Sequence, residues 1–244
     1  MVNDNSAPFP QLRSAYLRAI ARAWRDPEFQ KILVGTNKNP RGALPLLEKD
    51  YGFQFPFNMS FNISIATNAD GKNMRPVWRP VGTKGWFGFM DEFKLYLPKK
   101  PTNPEDEATV LARYCTEFPS LLGAATDGVS QAPPDFAAFG VITSRLVALA
   151  WSDPEFHNKL YNQSNSRSDV RDLLDGALDY VVQWNFRLVF EEVPEDSSDS
   201  VDYWERFPRS EVTVFLPQQP DPSVEAIALA AYNDTGGQYP FSCA

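Results

Sequence analysis

The chain has 244 residues, with 23 Lys and Arg against 31 Asp and Glu, a net charge of −8. That length holds one large or two small domains, and no apolar run approaches the roughly 20 residues of a membrane span. Two cysteines, Cys115 and Cys243, make no disulfide scaffold. A single histidine, His157, argues against a histidine-built metal site or a Ser-His-Asp triad and reads as a surface helix residue. The opening Met1-Val2-Asn3-Asp4-Asn5 lacks the basic and apolar stretches of a signal peptide, so the chain is expected to be made and folded in the cytosol.

The first expected element is an amphipathic helix, with Leu12, Tyr16, Leu17, Ile20 and Trp24 at helical spacing and Arg13, Arg18, Arg22 and Arg25 mostly elsewhere on the wheel. Proline disfavours α geometry in the residue before it. Asp26 therefore stops this helix and caps the next, with Pro27 in the first helical position and Glu28 in the first turn, where the dipole favours an acid. The result is a helix-break-helix corner with Trp24 and Phe29 expected in its elbow. A third short helix is expected from about Asn39-Pro40. The period then changes to two, as Phe57, Met59, Phe61, Ile63 and Ile65 alternate with polar residues, the pattern of a half-buried strand. An insertion over 66–92 follows, and a second strand over Phe93 to Leu97 closes the unit. A Pro-rich joint and an alanine-rich segment complete it.

The whole series then repeats, and such self-similarity determines how a fold is read. Ala23-Trp24-Arg25-Asp26-Pro27-Glu28-Phe29 returns as Ala150-Trp151-Ser152-Asp153-Pro154-Glu155-Phe156, six of seven residues alike. Leu97-Pro98-Lys99-Lys100-Pro101, with Pro104, Glu107, Ala108 and Leu111-Ala112-Arg113-Tyr114 after it, returns as Leu216-Pro217-Gln218-Gln219-Pro220, with Pro222, Glu225, Ala226 and Leu229-Ala230-Ala231-Tyr232. Two blocks in the same order mean a tandem duplication. In the second copy Phe139, Ile142, Leu146 and Leu149 mark the opening helix. Asp153, Pro154 and Phe156 make the corner, and a third helix starts near Ser168-Asp169. Val182, Trp184, Phe186, Leu188 and Phe190 alternate along one strand, and Val212 to Leu216 form the other. The expected fold is α+β: two tandem copies of a helix-corner-helix plus antiparallel β-hairpin module. The boundaries are 8–125 for the first module, 126–135 for a linker, 136–235 for the second module and 236–244 for a C-terminal tail.

The copies differ in charge. Residues 1–125 carry 16 basic and 12 acidic residues (+4), and residues 126–244 carry 7 and 19 (−12). Nucleic-acid binding is disfavoured, since phosphate contacts need a clustered basic surface. Either the opposite signs draw the halves together or charge drifted after duplication. The insertions differ likewise. Lys72, Arg75, Arg79 and Lys84 stand among Trp78, Trp86, Phe87 and Phe89 in the first, and Glu191, Glu192, Glu195, Asp196, Asp199 and Asp202 in or beside the second. These are either a docking pair or two unrelated surface loops.

Catalytic chemistry has no visible carrier. The chain lacks a Gly-rich phosphate loop, a Gly-x-Ser-x-Gly elbow, His-Glu-x-x-His and Cys-x-x-Cys. Neighbouring acids such as Asp91-Glu92 and Glu191-Glu192 point to opposite faces of extended chain, and helix capping accounts for the corner acids. No catalytic, cofactor-binding or metal residue is expected. The tail is different. Gly236-Gly237 makes an accessible point suited to a protease cleft, and Ser242-Cys243 lies just beyond it. The hydroxyl or thiol of such residues can attack the preceding carbonyl to give an azoline and, after oxidation, an azole.

The corner segment from Ile20 to Phe29, with the third helix and the strand ending in Leu-Pro, resembles the α subunit of nitrile hydratase. It resembles still more the leader domains related to that subunit, which precede ribosomally made natural products of the thiazole/oxazole-modified microcin, or bacteriocin, kind. The hydratase carries a Cys-x-x-Cys-Ser-Cys metal cluster after the matching strand, where this chain has Pro98-Lys99-Lys100-Pro101 and Pro217-Gln218-Gln219-Pro220. The hydratase activity is therefore not carried over. The leader resemblance implies cleavage after Gly236-Gly237 and modification of Ser242 and Cys243. It also implies two partners, a cyclodehydratase-type modifying enzyme and a processing peptidase or exporter. The opposite charges of the halves add a further expectation, pairing of the two modules within the chain or in a homodimer. The precursor would be cytoplasmic and its product exported. The competing expectation is a catalytically inactive hydratase-like binding or scaffold protein.

Overall fold

A computed structural model describes residues 8–55, 59–65, 75–80, 85–88, 91–121, 134–161, 167–181, 187–193 and 201–235. The first copy opens with α1 (Pro8–Arg25) and α2 (Pro27–Gly35), then α3 (Leu44–Tyr51) and strand β1 (Ser60–Ser64). A two-stranded hairpin, β2 (Val77–Arg79) and β3 (Gly85–Phe87), occupies the first insertion, followed by β4 (Glu92–Pro98) and α4 (Glu107–Leu121). The second copy runs α5 (Pro134–Ser152), α6 (Pro154–Tyr161), α7 (Arg167–Leu178), β5 (Arg187–Val193), α8 (Val201–Arg206), β6 (Glu211–Phe215) and α9 (Glu225–Thr235). The α+β class and the tandem organisation are as the sequence suggests. The linker at 126–135 falls almost wholly outside the described residues.

The strand partners are not those of a hairpin within each copy. The main sheet has the order β1-β6-β4-β5. β1 of the first copy lies parallel to β6 of the second, β5 of the second parallel to β4 of the first, and β4 meets β6 antiparallel at the centre. Both parallel pairs keep one register. Ser60 stands beside Glu211 as Arg187 stands beside Glu92, and Leu97 and Leu216 of the repeated block fix Glu92 and Glu211 as equivalents. The copies thus interleave about an approximate two-fold axis between β4 and β6. Period-two patterning explains why the hairpin expected within each copy is not what forms. Alternation determines which face of a strand is buried, not which strand lies beside it, and neither insertion is a tight hairpin turn that would force local pairing.

Phe61, Ile63, Val212, Val214, Phe93, Leu95, Leu97, Leu188 and Phe190 form the apolar face of this sheet, all buried. The opposite face is polar and partly exposed. Glu92 pairs with Arg187 at 3.2 Å, Lys94 with Glu191 at 3.1 Å, and the Tyr96 hydroxyl donates to Glu211, whose other oxygen accepts from Asn62. Helices cover the apolar face. Leu12, Tyr16, Ile20 and Trp24 of α1 and Phe139, Ile142 and Leu146 of α5 are buried in a core shared by both copies, whereas Leu17 and Leu149 are only partly covered. Phe57, Val182, Trp184 and Phe186 of the expected strands lie outside the described residues.

The third helix of the first copy starts at Leu44, not near Asn39-Pro40. Asn39 closes a turn by accepting from the Arg41 amide, and Gly42 takes φ +60 to bridge Phe61 of β1. The helix begins only after that bridge. In the second copy α7 begins at Arg167, as expected.

Candidate functional site

The repeated corners form as their sequence dictates. Asp26 stays extended at φ −128 and ψ 92, its side chain accepts from the Phe29 amide at 3.0 Å, and Pro27 opens α2. Asp153 accepts from the amides of Glu155 at 2.8 Å and Phe156 at 3.1 Å. Glu28 and Glu155 pair with Lys31 and Lys159 of their own helices. All four corner acids are thus engaged in caps or local ion pairs.

Phe29 is buried in its elbow, with the Arg22 guanidinium 3.8 Å from the centre of its ring. The tryptophans do otherwise, against expectation. Trp24 Nε1 donates to the Pro217 carbonyl of the second copy at 3.1 Å, and Trp151 Nε1 donates to the Pro98 carbonyl of the first at 3.0 Å. The two blocks that betray the duplication therefore contact each other, each crossing to the other copy. The physical need is plain. A strand that ends in Leu-Pro leaves a buried carbonyl without a ladder partner, and such a group requires a donor. An indole N–H supplies one while its ring fills apolar space. At Pro217 the guanidinium of Arg75 adds bonds to the Leu216 and Pro217 carbonyls, at 2.9 and 2.6 Å.

Beside each crossing one carboxylate is held by one cation. Arg25 meets Glu225 at 2.6 Å, and Gln219 also donates to Glu225 at 2.7 Å. The Arg25 hydrogen bond, then that of Gln219, holds the Glu225 carboxyl below its ordinary pKa. At the other crossing Lys100 pairs with Glu107 at 3.2 Å and donates to the Trp151 carbonyl at 2.9 Å.

Each insertion packs on the alanine-rich helix of the other copy. Trp86 stacks on Trp24, meets Tyr232 of α9 edge-on and donates to the Ala228 carbonyl at 2.8 Å. Trp204 and Phe207, in and just after α8, pack on Tyr114 of α4, the repeat equivalent of Tyr232. The described parts of the insertions thus serve the core. His157 lies on the surface of α6, 3.1 Å from Glu192 and against the ring of Tyr161.

The expected cleavage residues Gly236 and Gly237 and the expected modification residues Ser242 and Cys243 lie outside the described residues. What the structure places is the helix before them: α9 ends at Thr235, and its Tyr232 is buried against Trp86 and Tyr16. Among the described residues no three His, Cys, Asp or Glu side chains gather as a metal site, and no helix is long and apolar enough to cross a membrane. Cys115, on the exposed side of α4, donates to Ser144.

Sequence reasoning overlooked Asp91. Its carbonyl accepts from the Arg187 amide of β5, and its carboxyl accepts from the Phe215 amide of β6 at 3.0 Å, so one residue joins β4 to both neighbours. Burial pushes its pKa up to about 7, with Glu92 adding to the rise and the Phe215 bond opposing it. Its equivalent in the second copy is Ser210, whose carbonyl accepts from Ser60 in the same way. The Asp91-Glu92 pair gave no sign of this, because the partners come from the distant copy.

No curated protein and no solved structure matches the chain. One family model matches it twice, over 8–122 and 134–240, under the description ribosomal natural product, two-chain TOMM family. The matches span most of the chain and fall one on each interleaved copy, so the chain belongs to that family of ribosomal natural products.

Proposed function

We propose that the chain is a substrate rather than a catalyst: a precursor whose interleaved copies form a folded leader and whose last residues become the product. The family membership of both copies carries this reading. The position of the tail supports it. Residues 236–244 follow directly on α9, a helix anchored by Tyr232 and by the Trp86 bond to Ala228. A modifying enzyme of the cyclodehydratase type would grip the leader and draw in the tail. There the Ser242 hydroxyl would attack the Phe241 carbonyl, or the Cys243 thiol the Ser242 carbonyl. The carbonyl oxygen leaves as water and a five-membered azoline remains. Cleavage after Gly237 would release the segment that carries Ser242 and Cys243 for export.

Co-expression with a cyclodehydratase encoded beside it, followed by intact mass and fragmentation of the tail, tests the reading. One water lost at Ser242 or Cys243, abolished by S242A/C243A, is the expected result. An unmodified and uncleaved tail would overturn it. Full biological activity of a chain lacking 236–244 would instead favour a hydratase-like scaffold.

A further inference from the structure

The two crossings solve one problem with different residues. By the repeat alignment Arg25 is equivalent to Ser152, Lys100 to Gln219, and Glu107 to Glu225. The crossing of α1 with the second Leu-Pro block holds Arg25, Glu225 and Gln219, the cation on the carboxylate coming from the corner while Arg75 binds the Leu216 and Pro217 carbonyls. The crossing of α5 with the first block holds Ser152, Glu107 and Lys100, its cation coming from the joint. Each carboxylate has one cation, drawn from opposite sides of the contact.

Like copies could not meet this rule. A pair of first copies would set Arg25 and Lys100 together on Glu107 at both crossings. A pair of second copies would leave Glu225 facing Ser152 and Gln219 with no cation at all. Glu225 would then keep only the Gln219 hydrogen bond and lose the charged partner that holds it at 2.6 Å. Asp91 and Ser210 repeat the theme at the centre of the sheet, where unlike pairing brings in one raised-pKa carboxyl and like pairing of first copies would bring in two. Specificity of this kind comes from what the wrong partner would suffer.

We propose that the two copies are obligate complements: the first copy recognises the second and rejects another first copy, and the crossing charges set that choice. The partner of each half is therefore an unlike half, whether on the same chain or on another. This does not depend on the fate of the tail.

The test uses the full chain with a specific protease site placed after Gly128. The folded protein is cut, unfolded in urea and refolded in high salt, which screens the overall charge difference of the halves. Native mass spectrometry then counts the pairs. Unlike pairs in large excess are expected, and like pairs in statistical proportion, or halves that refold alone, would overturn the proposal. The variant K100Q/S152R gives the carboxylate at every crossing one Arg and one Gln, as Glu225 has now. It is expected to fold as the full chain and, after the same cycle, to yield like pairs beside unlike ones; unlike pairs alone would show that the crossing charges do not set the choice. A double-mutant cycle in the uncut chain needs no refolded halves. S152R alone should lower the unfolding midpoint by crowding Glu107 with two cations, and K100Q should restore it, whereas additive effects would count against the proposal.

Discussion

At the scale of single residues, two kinds of side chain hold the copies together. The indole of Trp151 gives the Pro98 carbonyl its donor, while the Pro217 carbonyl has both Trp24 and Arg75. Replacing Trp151 with Phe keeps most of the ring but orphans a buried acceptor, so W151F should cost about 1–3 kcal/mol. W24F should cost less, because Arg75 still donates. Urea unfolding of the two variants checks both the size and the order. Asp91 makes a separate prediction, in pH. A carboxyl raised from 3.8 to about 7 keeps its proton in the folded chain after the unfolded chain has released it. Folding stability should therefore fall as pH rises from about 4 to about 7 and level off above that. The neutral D91N side chain can still accept from Phe215 and should flatten this slope, which urea midpoints measured across that range would reveal.

At the scale of elements, the helices follow their sequence closely and the strands do so only in part. The Asp-Pro corners act through neighbouring atoms, so Asp26 and Asp153 were legible as caps before any fold was known. The strands carry their burial pattern in the sequence but not their partners, which depend on groups more than a hundred residues away. The late start of α3 shows the same division. Gly42 is held at φ +60, and a Cβ there would fall 2.2 Å from the Phe61 carbonyl oxygen, whereas Gly52, at φ +71 on the end of α3, faces open space. G52A should cost only the left-handed backbone penalty, about 1–2 kcal/mol. G42A adds a backbone clash to that penalty and should lose the bridge between Gly42 and β1. Thermal melts of the two variants would rank them.

At the scale of the whole molecule, the two copies are one folding unit. Their strands alternate across a single sheet and their helices share one core, so neither can lose its structure without stripping the other. Chemical unfolding should give one transition, coincident for a probe in each copy, with a denaturant slope suited to the whole chain rather than to half of it. Two separated transitions would show independent modules. Interleaving also gives the charge asymmetry of the halves a physical setting, since the +4 and −12 segments are in contact along β4 and its neighbours.

The sequence by itself determined the duplication, the corners, the opening helices of each copy and the buried face of the main-sheet strands, but not the β2–β3 hairpin or α8 inside the insertions. What it determined depends on spacing, capping and proline geometry, which act within a few residues. It also carried the family resemblance and the Gly-Gly and Ser-Cys tail on which the functional reading stands. Only the tertiary structure decided that the strands are exchanged, that the tryptophans cross to the other copy's Leu-Pro carbonyls and that Asp91 bridges three strands. Each of these pairs groups from distant parts of the chain, and local pattern states what such a group needs without naming which distant partner provides it.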